Sequence, residues 1–170
     1  MAGAPLIHAM KITPAEIAKY LALLEEFPRT VTAWTTRLSE DQLRWSPGKK
    51  DWSIVEVVAH LRACAEIWSF SIYAMLTEDK PALPLLDERR WAKAARYATF
   101  EFHPSFQIFC LQRGELLVVL KALDFESWVR SANIEGRNHT VFSQSRRMAL
   151  HETEHLEQIQ ALLEGLPRID

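Results

Sequence analysis

The chain has 170 residues, of which 48% are apolar, so it can bury one substantial core and is expected to form a single domain over residues 1–170. A formal charge of -2, a pI near 6.3 and arginines scattered along the chain argue against nucleic-acid binding. No apolar run approaches the roughly 18 residues that a membrane span requires, and the first residues lack the pattern of a secretory signal.

The first predicted helix begins near residue 14. Residues 1–12 are expected to form a loosely held arm before it. Thr13 and Pro14 then supply the capping oxygen and the first-turn proline that start a helix. Apolar residues recur at helical spacing as far as about residue 38. Turn residues follow, and they predict a connection that contains a short helical turn at 40–43.

The start of the second helix is the sharpest boundary in the sequence. Ser53 and Glu56 have the spacing of a capping box, and Trp52 just before them can pack onto the first helical turn. The apolar stripe that follows carries His60 about two turns into the helix. This residue is either a core histidine satisfied by a neighbour or a metal ligand. Glu56, one turn earlier, could accept a hydrogen bond from its ring.

A long connection separates the second and third helices. Prolines interrupt residues 77–103, apart from a short amphipathic piece at 87–97. A link of this length can cross the bundle, so the two helices need not be antiparallel neighbours. The third helix is predicted over 104–122, and Arg113 lies on its apolar face. Because a buried guanidinium needs a partner, Arg113 either pairs with a carboxylate or contacts a bound anion.

The last predicted helix carries two histidines on one face. Residues 124–140 before it have no helical period and are expected to form a loop with a short extended pair. Thr140 or Ser143 can cap the helix. His151 and His155 are four residues apart, so they lie roughly 40° apart around the helix and one turn apart along it. Both imidazoles can therefore bind one ion.

The three inward histidines form a candidate metal site. His60 has a comparable apolar depth on another helix, and three inward imidazoles without a metal would be unusual in a small core. The alternative is that His151 and His155 have this spacing by accident. The same His-Glu-x-x-His motif occurs in zincin proteases. A zincin takes its third ligand from farther along the chain and binds peptides along a sheet edge, whereas only 15 residues follow His155 and no sheet is evident, so the motif does not indicate a protease here. Three imidazoles on one side of an ion leave positions open for water or substrate.

Other polar residues near the histidines have two interpretations each. Glu152 lies about 100° around the helix from His151, so it could act as a general base or orient a ligand. Solvation or a salt bridge explains it equally well. Arg113 or Arg146 could contact an anionic substrate or thiol cofactor, although no recognition signature marks either residue.

The cysteines indicate the redox state of the protein's compartment, and the tryptophans indicate how copies of the chain could associate. Cys64 and Cys110 cannot build a disulfide framework, and their apolar surroundings predict reduced, buried thiols in a cytoplasmic protein, with a single bridge as the alternative. Six tryptophans leave room for an aromatic contact surface, and we expect a homodimer.

Two motifs in the predicted second and fourth helices carry a family resemblance. They read Trp52-Ser53-Ile54-x-Glu56-x-x-x-His60-Leu61 and His151-Glu152-x-x-His155-Leu156-x-Gln158-Ile159. Together they resemble the DinB-like (YfiT/DinB) superfamily, and the match spans nearly the whole chain. The resemblance implies an all-α, four-helix bundle of up-down-down-up topology, with a long crossover between helices two and three. It also implies a divalent metal held by His60, His151 and His155. Glu154 stands where many relatives carry a further histidine.

The resemblance implies a chemistry without naming a substrate. Members of that family include metal-dependent hydrolases, and transferases or isomerases that use low-molecular-weight thiols. We therefore expect a metal-dependent enzyme, a hydrolase or thiol transferase, that acts on a small molecule. The alternative is a non-catalytic metal-binding bundle with a structural or stress-related interaction role. Imidazole donors suit several divalent metals, and we expect zinc or nickel, with iron or manganese as alternatives.

Overall fold

The computed structural model describes residues 12–167, so nearly all of the predicted N-terminal arm lies outside the described residues. The helices in chain order are α1 (Pro14–Thr35), α2 (Glu40–Arg44), α3 (Ile54–Thr77), α4 (Glu88–Ala94), α5 (Phe102–Lys121), α6 (Phe125–Trp128) and α7 (Val141–Glu164). The strands are β1 (Ala82–Leu83), β2 (Ser131–Ile134) and β3 (Arg137–Thr140), and a 3-10 helix covers Tyr97–Thr99. No helix in this range is both long and apolar enough to cross a bilayer.

Side-chain caps fix where three of the four long helices begin, α1, α3 and α7. Thr13 caps α1 with its hydroxyl oxygen. Ser53 and Glu56 form the predicted capping box at the start of α3, with each side chain accepting a hydrogen bond from the other residue's backbone N–H. The N-cap of α7 is Thr140, whose hydroxyl oxygen accepts from the backbone N–H of Ser143 at 3.0 Å. Local capping signals therefore placed these starts correctly.

The four long helices form a bundle of up-down-down-up topology, as predicted. Tyr20 near the start of α1 packs on Phe142 near the start of α7, so these helices are parallel. Arg62 near the start of α3 donates to Ser105 near the start of α5, so this pair is parallel too. The first turns of α3 meet the C-terminal half of α7, which makes those two antiparallel. The crossover between α3 and α5 allows their shared direction.

The core consists of two apolar clusters, one toward each end of the bundle. One cluster contains Cys64 and Met148, and the other contains Leu61 and Ile159. Because Leu61 and Cys64 are less than one turn apart on α3, the side chains between the two clusters lie at their junction. The histidines of α3 and α7 lie at this level of the bundle.

A small three-stranded sheet joins the connection that follows α3 to the connection that precedes α7. β2 and β3 form the predicted extended pair, an antiparallel hairpin whose turn residues Glu135 and Gly136 have φ angles of 47° and 80°. β1 from the crossover pairs parallel to β2. The strand β1 and the helix α6 were not predicted, because a two-residue strand and a four-residue helix carry no periodic signal.

Candidate metal centre

The structure brings the side chains of His60, His151 and His155 together. Their ring centroids are 5.2 Å apart for His60 and His151, 5.3 Å for His60 and His155, and 4.5 Å for His151 and His155. All three side chains are partly buried. One long helix supplies one ring and its antiparallel neighbour supplies two, as the sequence predicted.

The positions of the ring nitrogens fit a divalent transition metal. Nε2 of His60 lies 3.4 Å from Nε2 of His151. A tetrahedral ion bound about 2.0–2.1 Å from each imidazole holds two such nitrogens about 3.3–3.4 Å apart. Nδ1 of His155 is hydrogen-bonded to Oε1 of Gln158 at 2.7 Å, which leaves Nε2 as its free nitrogen. A partner of this kind orients a metal-binding histidine and fixes its tautomer.

Burial keeps the three imidazoles in the form that binds metals. It lowers the pKa of His60 and of His151 to about 4, and the neighbouring ring of His155 adds to both shifts. Burial also lowers the pKa of His155. All three rings are therefore neutral at neutral pH, and a neutral ring can donate a lone pair without first losing a proton.

Cys64 is a further potential donor, and the sequence reasoning missed it. Its Sγ lies 3.4 Å from Nε2 of His60. Ligand atoms of His60, Cys64 and His151 all lie within 4.8 Å of one another, so they form a candidate His-Cys-His site. Burial raises the pKa of the Cys64 thiol. The missed signal was the spacing, because Cys64 follows His60 by four residues, as His155 follows His151.

Two tryptophans flank the histidines. The ring of Trp52 lies 5.2 Å from that of His60 and stacks on that of His155 at 6.3 Å. The ring of Trp68 meets that of His151 edge-on at 5.1 Å. Apolar walls of this kind limit access of water and lower the local polarity, which accounts for the depressed pKa values of the imidazoles.

The crossover helix α4 is anchored beside the histidines. Oε1 of Glu88 accepts from Nε1 of Trp68 at 3.0 Å and from the guanidinium of Arg147 at 3.3 Å. The same arginine lies over the Trp68 ring at 4.3 Å. Arg89 lies over the ring of Trp52 at 5.3 Å and has no ion pair within residues 12–167. Among the described residues, Arg89 is therefore a cation without an ion pair that lies next to a wall of the site.

Arg113 and Glu152 are bound to each other. The guanidinium donates to both carboxylate oxygens, at 2.6 and 2.5 Å, and each residue is only 2% exposed. Burial raises the pKa of Glu152, and the charge of Arg113 opposes that rise. Of the two interpretations of Arg113, the geometry corresponds to pairing with a carboxylate. Both oxygens of Glu152 are occupied by the guanidinium.

Two other residues that the sequence suggested as site partners have different contacts. Arg146 donates to the hydroxyl of Tyr20 at 3.1 Å and lies over its ring, so it ties α7 to α1. Oε2 of Glu56 accepts from the backbone N–H and the hydroxyl of Ser53, at 2.8 and 2.9 Å. Of the two roles that the sequence left open for Glu56, the geometry corresponds to the helix cap.

The fold and the clustered donors define a class of protein, a four-helix bundle with a candidate metal centre between two of its helices. The family model of the DinB superfamily matches residues 23–159, so the chain belongs to the DinB superfamily.

Individual relatives agree with this assignment. A protein of Geobacillus thermodenitrificans, whose name marks it as a candidate metal-dependent hydrolase, is 28% identical over 93 residues. That match covers 55% of this chain and 52% of the relative, so the chain spans about half the length of the curated relative it matches.

Two solved structures share the fold. YfiT from Bacillus subtilis, described as a probable metal-dependent hydrolase with an unusual four-helix bundle topology, superposes with a TM-score of 0.81 at 20% identity, covering 91% of this chain and 90% of YfiT. The DinB-like protein YjoA from Bacillus subtilis gives a TM-score of 0.56 at 14% identity, covering 88% and 96% of the two chains. At these identities the likeness concerns the fold.

Proposed function

We propose that the chain is a metal-dependent enzyme that acts on a small molecule, with His60, His151 and His155 as the metal ligands. The reaction is either hydrolysis or transfer to a low-molecular-weight thiol. The observation that supports this most directly is the convergence of three neutral imidazoles from two helices. A divalent transition metal held there, zinc or nickel in the first place and iron or manganese otherwise, would act as a Lewis acid and would activate a nucleophile.

The surrounding residues serve binding and orientation in this proposal. Gln158 holds His155 in one tautomer and one ring orientation. Trp52 and Trp68 exclude water from one side of the site, which strengthens electrostatic interactions there. Arg89 is the cation available to an anionic group of the substrate, in the role that the sequence suggested for Arg113.

Metal content and turnover test the proposal together. We expect the wild-type protein to bind one zinc or nickel ion per chain, and His151→Ala to lose it. His103→Ala is the matched control, because His103 is an exposed histidine on α5. Metal-loaded and metal-free protein are then compared on simple esters and amides, and on an electrophile supplied with a small thiol. A wild-type chain that binds no such ion, or that binds it through His103, refutes the proposal.

A non-catalytic role is the second candidate, and one observation favours it. The donors belong to α3 and α7, so a bound ion would join two helices of the bundle and stabilise it. At a free metal concentration 100 times Kd, such binding adds about 2.7 kcal/mol to the free energy of unfolding. A gain of this size without turnover on either substrate panel would favour the binding role. Turnover that depends on the metal would favour the enzyme.

Assembly and location complete the proposal. We propose one DinB-like domain over residues 1–170, two copies of which form a homodimer in the cytoplasm. The free thiols of Cys64 and Cys110 support a reducing compartment. The dimer is supported by apolar side chains exposed on α5, where Leu111 is 63% and Val118 71% exposed. Sedimentation equilibrium tests it, because Leu111→Glu should give monomers while Gln112→Glu leaves the mass unchanged.

A further inference from the structure

A surface cavity of about 310 Å³ lies between α1 and α5. Its walls include Glu25 and Arg29 of α1, and Cys110, Arg113, Gly114 and Lys121 of α5. Cys110 is only partly buried at this cavity, whereas Cys64, the other free cysteine, is 2% exposed. The cavity therefore makes one of the two thiols accessible from solvent.

The lack of a side chain at Gly114 opens the cavity beside Cys110. Gly114 follows Cys110 by four residues, so both lie on one face of α5. Helical side chains lean toward the N-terminus of their helix, so a side chain at position 114 would lie over the turn that contains Cys110. A Cβ atom added to Gly114 would have no neighbour within 4 Å among the described residues. A ligand can therefore occupy the space next to the thiol.

The walls of the cavity carry more positive than negative charge. Of the described residues that line it, Arg29, Arg113 and Lys121 are cations and Glu25 is the carboxylate. Lys121 and Arg29 both pair with Glu25, but their side chains remain 56% and 71% exposed. These walls favour a ligand with negative charge.

Arg113 adds a buried donor to the same walls. Both terminal nitrogens of its guanidinium donate to Glu152, so Nε lies on the opposite side of this planar group. Nε has no hydrogen-bond partner within residues 12–167, although Arg113 is only 2% exposed. A buried N–H group without a partner is unusual in a folded protein, and an oxygen atom of a ligand in the cavity would satisfy it.

We propose that Cys110 is a site of reversible S-thiolation, at which a low-molecular-weight disulfide that carries carboxylates leaves one of its two halves. The thiolate of Cys110 attacks one sulfur of the disulfide, so that a new sulfur–sulfur bond forms while the old one breaks. The other half leaves as a thiolate and takes up the proton that Cys110 released. The exchange needs no other oxidant, and the proposal does not depend on the metal site.

Two opposing influences act on the reactivity of Cys110. Burial raises the pKa of its thiol, and the positive charge of Arg113 opposes that rise. Because the thiolate is the attacking form, exchange should become faster as the pH is raised above neutrality. Burial also raises the pKa of the less exposed Cys64 thiol. Cys110 should therefore react before Cys64.

Glutathione disulfide tests the site, with mass spectrometry of the intact and digested protein as the readout. We expect the folded wild type to gain one glutathione, on Cys110, and to lose it when a reducing agent is added. Cys64→Ala should behave in the same way. Cys110→Ala should gain none while its circular dichroism shows that it is folded. If the folded wild type is modified on Cys64, or is not modified, the proposal is wrong.

Charge selection distinguishes a built site from a thiol that is merely accessible. Dithiodipropionate, hydroxyethyl disulfide and cystamine are small disulfides with negative, no and positive charge. Dividing each rate by that of the same probe with urea-unfolded Cys64→Ala removes differences in intrinsic reactivity. The anionic probe should then react about tenfold faster than the cationic one or more. Lys121→Gln should reduce this ratio, whereas Lys93→Gln, exposed on α4, should not. Equal normalised rates for the three probes overturn the proposal.

Substitution of Gly114 tests the cavity without changing its charges. Gly114→Leu should cover Cys110 and lose most of the glutathione modification, whereas Gly114→Ala should retain it. Leucine and alanine both favour helices more than glycine does, so neither variant should unfold α5. If Gly114→Leu is modified as fast as the wild type, the disulfide does not reach Cys110 through this cavity and the proposal fails.

Discussion

The buried pair of Arg113 and Glu152 gives the sharpest test of what Glu152 does. Breaking a buried ion pair by removing one partner costs about 3–5 kcal/mol, because the other charge remains buried without a partner. Each of these residues is 2% exposed, so water cannot replace the lost partner. Domains are stable by about 5–15 kcal/mol in total. We therefore expect Arg113→Met or Glu152→Leu alone to remove about a fifth or more of the stability.

Urea unfolding of the metal-free protein measures this cost. At about 2–4 °C per kcal/mol for a chain of this length, each single variant should also melt about 6–20 °C lower. The double variant should lie closer to the wild type than either single variant, because apolar residues often replace a buried pair without loss. Glu157→Leu, on the exposed face of α7, is the control and should change stability by less than about 0.5 kcal/mol.

The result that refutes this reasoning is equally specific. If both single variants unfold within about 0.5 kcal/mol of the wild type, the pair does not stabilise the fold. If Glu152→Leu keeps that stability and removes turnover by the metal-loaded protein, the general-base role suggested by the sequence gains support. A structural pair instead predicts that stability falls whether or not metal is bound.

Three further predictions concern the surroundings of the histidines. Arg89→Ala should raise the KM for a carboxylated substrate about tenfold, which corresponds to about 1.4 kcal/mol. The KM for the neutral analogue of that substrate should not change. Arg90→Ala, on the same helix, should change neither KM. The free energy of unfolding of metal-free protein should fall as pH drops from 6.5 to about 4, because unfolded histidines bind protons before the buried ring of His151 does. His151→Gln should make that slope shallower in urea titrations. Gln158→Ala should weaken zinc binding about 10- to 100-fold in chelator competition, while Gln160→Ala, exposed on the same helix, should not.

The sequence predicted the bundle because its signals were local. The capping box at Ser53 and the cap at Thr140 each join residues only three positions apart in the chain, so each could be recognised without knowledge of the fold. The two-residue strand β1 was not predictable in this way, since it exists only through pairing with β2, about 50 residues later. Elements defined by a distant partner leave little trace in local periodicity.

The same distinction applies within the candidate site. The spacing of His151 and His155 was visible on one helix. The inward position of His60 was predicted from the apolar stripe of the second helix. The partner of Arg113 was not visible, because Glu152 is 39 residues away and several other acidic residues were available. The placement of Arg89 depends on how the crossover docks onto α3 and α7, which no local pattern encodes. Sequence reasoning therefore identified the clustered histidines better than the residues around them.

The ion pair also bears on how the histidines reach their positions. Glu152 and His151 are successive residues of α7, so their side chains point about 100° apart around the helix. Arg113 holds Glu152 toward α5, and this rotation of α7 turns His151 toward α3. We therefore expect Glu152→Leu to weaken zinc binding as well as the fold, measured by chelator competition below the melting transition. If zinc affinity is unchanged while stability falls, contacts other than the ion pair, such as that between Trp68 and His151, set the rotation of the helix.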